Sequence, residues 1–141
     1  MSYAGFWKRF AAAFIDLLIT AVLGGIAGGI SGVLYTVSTG TAVGAEFAGQ
    51  IAGTLVGWIY FSSFESSAKQ ATLGKMALGI KVTNIDGTRI GFGTATLRHF
   101  GKIVSFLTLF IGYIMVAFTE KKQGLHDIMA GCLVGNKSED N

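Results

Sequence analysis

Between Asp16 and Glu46 the chain carries no charged residue. The run is built mainly from Leu, Ile, Val, Ala and Gly, and it exceeds the ~20 apolar residues that a helix needs to cross about 30 Å of hydrocarbon. A segment in that medium must satisfy its own backbone hydrogen bonds, so a helix is the default expectation. Asp16 stands at the head of this run. A charge at the centre of a transmembrane helix costs roughly 2.5–3.5 kcal/mol, so a chain that keeps one has a partner or a purpose for it. Arg9 lies seven residues earlier, about two turns, which puts both side chains on one helix face roughly 10 Å apart along the axis. The pair forms either an internal polar clamp or part of a site.

Composition agrees with a membrane setting. Of 141 residues 51% are hydrophobic and only 13% charged, with a mean hydropathy of +0.57, whereas a soluble domain carries about a quarter charged residues. An all-α polytopic membrane protein is expected, organised as a single membrane domain over residues 1–141. The net charge of +3 comes from basic residues clustered beside the apolar spans. That placement suits anionic lipid headgroups at the cytoplasmic face, and no motif for nucleic acid accompanies it. Cys132 is the single cysteine, which excludes an intrachain disulfide and a cysteine metal cluster. The first apolar run extends to Tyr35 without a convincing small-residue cleavage site, so it reads as a retained span rather than a signal peptide.

The first span is expected over 10–34, preceded by Tyr3, Phe6 and Trp7 as an interfacial aromatic belt. The second is expected over 47–64, with Trp58, Tyr60, Phe61 and Phe64 crowding its far end. Residues 65–102 form a basic surface segment with Lys69, Lys75, Lys81, Arg89, Arg98 and Lys102. Within it a helical turn is expected around Leu73 to Leu78, followed by a short cytoplasmic-side β-hairpin around 79–93. Ile80-Lys81-Val82-Thr83 alternates, and Asp86-Gly87 is a hairpin-turn dipeptide. A third apolar segment, 103–119, is helical or re-entrant, weakened as one helix by Gly101 and Gly112, and a tail runs over 120–141. The excess of Lys and Arg puts the N-terminus and residues 65–102 in the cytoplasm. A full third crossing would put Lys121, Lys122 and Lys137 outside, against that rule. A re-entrant segment would keep the tail inside, provided that protein covers it.

Three groups of residues could carry function. Asp16 shares its face with Arg9, Ala12, Ala13, Thr20 and Leu23, a small-residue stripe that points a polar group into a bundle. It reads either as an ion- or proton-binding carboxylate or as a structural clamp to a base of the surface segment. Gly24, Gly28 and Gly32, then Gly49, Gly53 and Gly57, repeat every four residues. They suit close packing of span one on span two, or self-association into a homo-oligomer. His126 and Asp127 are adjacent, so they do not face each other on a helix, and a zinc site would need ligands beyond the other histidine, His99. Asp127 is expected to pair with Arg98, Lys102 or another cytoplasmic-side base, tying the tail to the core. No nucleophile stands in a recognised catalytic setting, so neither enzymatic activity nor a cofactor or metal is expected.

Together these residues resemble the RDD family of small prokaryotic membrane proteins. Its pattern of an arginine at the start of the first helix, an aspartate within it and a second aspartate later is met by Arg9, Asp16 and Asp127. Four separated blocks match in order: Tyr3 to Arg9, Thr72 to Val82, Arg98, and Gln123 to Gly131. Many relatives carry a proline in the third apolar segment. This chain has none, which leaves the kink expected there to Gly112. The resemblance implies residence in the prokaryotic plasma (inner) membrane with a cytoplasmic N-terminus. It also implies transport of an unidentified ligand, since some members are described as sodium/proton antiporters. Asp16 would then be the cation or proton carboxylate, with Arg9 and Asp127 as electrostatic partners and Arg98, Lys102, His126 and Thr20 in support. The rival reading is a non-transporting membrane scaffold or partner protein whose Arg/Asp/Asp network is structural.

Overall fold

Helix α1 spans Phe6–Thr39, and only Ala12 and Asp16 along its 34 residues are buried. Its large apolar side chains stand exposed, Leu17 at 61%, Val22 at 62% and Leu34 at 63% among them. That inverts the arrangement of a water-soluble helix, which hides an apolar stripe and exposes charge. α1 is the one described helix that by itself is long and apolar enough to cross a membrane. The computed structural model describes residues 2–108 and 111–137. A five-residue connection with Gly40 and Gly44 at positive φ (+72° and +94°) leads into α2, Ala45–Ser66. Both helices run a few residues past the expected spans at each end.

The chain packs as two compact units, Leu17–Tyr60 on the one hand and Met1–Asp16 with Phe61–Asn141 on the other. In the first, Gly28 and Gly49 meet backbone to backbone: a Cβ built on either would lie 3.1 Å from the other's carbonyl oxygen. Gly24 faces Gly53, where an added Cβ would lie 3.6 Å from the Gly53 α-carbon, and Gly32 meets Ala45. Gly57 has nothing within 4 Å. Five of the six predicted packing glycines are therefore spent on an intrachain helix pair, which small residues permit because dispersion and backbone proximity drive helix association in lipid.

In the second unit Thr72 caps the short helix α3, Leu73–Ala77, and strand β1, Ile80–Asn84, follows through Gly79 at φ +65°. Helix α4 spans Phe92–Leu107, α5 spans Ile111–Ile114, and a 3-10 turn covers Met115–Ala117. α6, Leu125–Ala130, ends at Gly131 in the left-handed conformation (φ +66°) and feeds strand β2, Cys132–Asn136. β1 and β2 pair antiparallel, with Ile80 opposite Asn136, Val82 opposite Val134 and Asn84 opposite Cys132. The N-terminal residues line the other edge of β2, where Ala4 N–H donates to the Val134 carbonyl at 2.8 Å and Asn136 N–H to Ser2 at 3.0 Å. Ala4, Ala12, Ile80, Val82, Ile90, Ala95, Cys132 and Val134 make the apolar core beneath this layer.

The sheet corrects the hairpin expected at 79–93. The Asp86-Gly87 turn forms, with Asn84 N–H donating to Thr88 at 2.9 Å and Gly87 at φ +85°. Among the described residues no strand returns from it. Both edges of β1 are already occupied, by β2 on one side and by Gln70 on the other, where Val82 N–H donates to the Gln70 carbonyl at 2.7 Å. Ile90 enters the core instead, and Gly91 starts α4.

The third apolar segment, 103–119, is not one straight helix. Phe92–Leu107 and Ile111–Ala117 diverge by 116°. The change of direction follows Leu107, with Leu109 and Phe110 lying outside the described residues, as do 138–141 of the tail. The kink expected at Gly112 is therefore displaced toward the α4 terminus, where Thr108 N–H donates to the Val104 carbonyl. Gly112 serves as the point of contact, because a Cβ there would fall 2.6 Å from Ser105 Oγ.

Candidate functional site

Asp127 enters the site on the first turn of α6, where its Oδ2 accepts from the Gly124 amide at 3.1 Å and so caps its own helix. The same carboxylate takes Arg98 Nε on Oδ1 at 2.7 Å and Arg9 Nη1 on Oδ2. Arg9 projects from the start of α1 and also donates Nε to the Ala4 carbonyl at 3.2 Å. Arg98 reaches across with Nη1 to Glu65 Oε1 at 2.6 Å, and the Lys75 ammonium joins that oxygen. A continuous chain of alternating charge, Arg9–Asp127–Arg98–Glu65–Lys75, thus links α1, α6, α4, α2 and α3. Lys102 flanks it, 4.0 Å from Glu65 Oε1 and 4.0 Å above the Phe61 ring. Glu65, Arg98 and Asp127 are each at most 2% exposed.

Burying ions costs several kcal/mol each unless the geometry returns it through pairing and hydrogen bonds. Arg98 does so with two donors of one rigid guanidinium on two different carboxylates, which an ammonium cannot reproduce. Burial by itself would raise the Asp127 pKa. The surrounding cations, Arg98 and Arg9 among them, outweigh it and hold the carboxyl well below the usual range. Burial pulls the Lys75 ammonium below the ordinary lysine value, opposed by Glu65. It also pushes the Cys132 thiol up to about 11, leaving it inert.

Asp16 is placed elsewhere. It is 1% exposed, with Oδ2 accepting from the Thr72 hydroxyl at 2.6 Å and Oδ1 from the Gly74 amide at 2.8 Å. The Thr72 hydroxyl in turn accepts from the Lys75 amide at 3.4 Å, so Asp16 holds the N-terminus of α3 against α1. Anionic side chains at that end of a helix meet free amide donors. The structure thus joins Arg9 and Asp127 directly, and gives Asp16 a separate station on the α3 cap. Thr20, the other polar residue of that α1 face, donates to the Leu17 carbonyl at 3.3 Å.

His126 is buried, with Nδ1 3.3 Å from Ser105 Oγ and Nε2 3.5 Å from Asp127 Oδ1. Burial lowers its pKa to about 3, so the ring is neutral at physiological pH. This Ser–His–Asp succession went unseen in the sequence, where Ser105 lies 21 residues from His126. Ser105 is fully buried under Gly112, so the contact joins α4, α5 and α6 inside the protein.

Sequence reasoning also missed Glu65 and Lys75 as members of the network. The available signal was Glu65's isolation: it closes an eighteen-residue uncharged stretch and precedes three cations, Lys69, Lys75 and Lys81, with no other acid before Asp86. Two members of the network carry a buried polar atom without a hydrogen-bond partner among the described residues, Glu65 Oε2 and Arg9 Nη2.

The model of the RDD family matches residues 3–131. The chain is 36% identical over 140 residues to "Uncharacterized protein YxaI" of Bacillus subtilis (strain 168), covering 89% of this chain and 92% of that one. It is 31% identical over 135 residues to "Uncharacterized membrane protein YteJ" of the same organism, covering 94% of this chain and 80% of that one. No solved structure gives a significant match.

Proposed function

The chain belongs to the RDD family, and we propose that it is a multi-pass plasma-membrane protein whose buried ionic chain is structural, serving a non-enzymatic scaffold or partner role. The observation that carries this reading is the closed sequence of pairs Arg9–Asp127–Arg98–Glu65–Lys75. It draws five helices together with hardly any solvent-facing surface. One relative bears the name of a membrane protein, and the exposed apolar side chains of α1 match a lipid environment.

The sheet supports a topology. Residues 2–4, β1 and β2 are hydrogen-bonded in one layer and so lie on one side of the bilayer. The chain between residue 4 and β1 must then cross an even number of times, as must the chain between β1 and β2. With α1 as one crossing, α2 supplies the return, and the bent α4–α5 pair re-enters from the same face. The positive-inside rule makes that face cytoplasmic, because all eleven Lys and Arg residues then share it.

Cation- or proton-coupled transport is the second reading. It is favoured by the unpartnered Glu65 Oε2, a buried acceptor with unused capacity beside the network, and by the carboxylate of Asp16 within α1. The two readings separate on Asp16→Asn. The scaffold reading expects reduced thermal stability in detergent and, for the wild type in reconstituted vesicles, no pH-gradient-driven flux above empty vesicles. Wild-type flux that Asp16→Asn abolishes without loss of fold would sink the scaffold reading and establish the transporter.

A further inference from the structure

At the α1 N-terminus an apolar groove of about 420 Å3 opens between Phe6 and Trp7 on one wall and Ile114, Val116 and Phe118 on the other. Trp7 is 76% and Phe118 83% exposed, while Val116 forms a buried floor. The volume falls within the roughly 300–1,000 Å3 of small-molecule sites. One end of the groove is cationic. A Cβ built on Gly5 would lie 3.9 Å from Lys122 Nζ, so the ammonium extends over the groove at the place where the chain has no side chain. Lys122 holds this position through a positive φ of +49°, uncommon for a non-glycine residue, in a turn where the Thr119 hydroxyl accepts from the Gln123 amide at 2.7 Å. The first turn of α1 contributes no acidic residue that would compete for the ammonium.

An apolar slot with one cation at its mouth is complementary to a molecule with a hydrocarbon chain and an anionic head. We propose that this groove seats one anionic phospholipid, its acyl chain between Trp7 and Phe118 and its phosphate on Lys122. The proposal rests on the membrane reading, which sets the α1 start at headgroup level, and goes beyond it by naming a discrete site. A general attraction of basic segments to anionic membranes needs no groove. The seat adds selectivity through one lysine and chain capture through an aromatic wall. It joins the α1 start to the segment after α5, so the bound lipid braces two parts of the chain.

Native mass spectrometry of the full chain purified in mild detergent tests this, with phosphatidylglycerol and phosphatidylcholine of identical acyl chains as probes. One phosphatidylglycerol per chain is expected at about five-fold lower concentration than phosphatidylcholine, the factor for one lysine at an anionic surface. Lys122→Gln should erase that preference, and Ala117→Trp, which fills the groove, should weaken both lipids several-fold, each with an unchanged melting temperature. Equal binding of both lipids by the wild type, or a preference that survives Lys122→Gln, overturns the site. Displacement by millimolar glycerol phosphate, or a dimer that Ala117→Trp splits, also overturns it, by making a free anion or a second copy the occupant. Extraction of the chain by alkaline carbonate without detergent would sink the membrane reading itself. An integral chain without lipid preference sinks the groove alone.

Discussion

Gly74 lies directly over Asp16, its amide donating to Oδ1 at 2.8 Å and its α-carbon so close that an added Cβ would sit 2.8 Å from the same oxygen. The Ala12 carbonyl closes the space from beneath. Any side chain at position 74 must therefore push α3 away from α1 and lengthen the hydrogen bond that holds Asp16.

Gly74→Ala is expected to destabilise the protein by about 1–3 kcal/mol, the range for overpacking a tight contact. Gly93→Ala is the control, since nothing lies within 4 Å of that position. Thermal unfolding in detergent reads both. A Gly74→Ala protein as stable as the Gly93→Ala control would show that α3 is free to move off α1.

Arg98 is the hinge of the ionic chain, bonded at once to Asp127 and Glu65. Arg98→Gln leaves two buried carboxylates short of a cation and is expected to cost about 3–5 kcal/mol, enough to abolish folded protein in detergent. Arg98→Lys restores the charge but reaches one carboxylate only, so it should recover less than half of the loss. Melting temperature and the yield of monodisperse protein give the comparison.

Acid should weaken the fold in two stages. The His126 pKa is about 3 in the folded protein against about 6.5 unfolded. Because the unfolded ring takes up a proton first, the stability its burial confers is present above pH 6.5 and is lost as pH falls from 6.5 toward 3. Asp127, with a depressed folded pKa, adds stability above about pH 4 that is lost on further acidification. His126→Gln should make the pH dependence of unfolding between 6.5 and 4 shallower, leaving the share that His99 contributes, and should not change the steeper loss below 4. An unaltered slope in that window would remove His126 from the explanation.

Much of the helical layout was legible because it is local. The uncharged run after Asp16 specifies α1, the glycine spacing anticipates the Gly28–Gly49 contact, and the helical turn expected around Leu73 to Leu78 forms as α3. The partner of β1 was not legible, since β2 lies some fifty residues away and strand pairing leaves no mark on either strand alone. Separation along the chain also hid the pairing of Glu65 with Arg98, 33 residues on. The isolation of Glu65 between an apolar helix and the basic segment was visible, but which cation would meet it depends on α4 packing behind α2. Asp16 looked like half of a clamp with Arg9 because both share a helix face. The backbone amide of a glycine and a threonine hydroxyl took its oxygens instead, partners that no charge pattern advertises.

The bridge between Tyr3 and Gly135 joins residues more than 130 positions apart. During synthesis Arg9 and Glu65 leave the ribosome long before Asp127, the residue that completes the pairing through Arg98. The nascent protein thus enters the bilayer with its ionic chain open, and β1 waits without its β-strand partner until β2 emerges. Closure of the ionic chain and of the sheet therefore waits for α6 and β2. A chain stopped before Cys132 would lack the strand that latches β1 to residues 2–4.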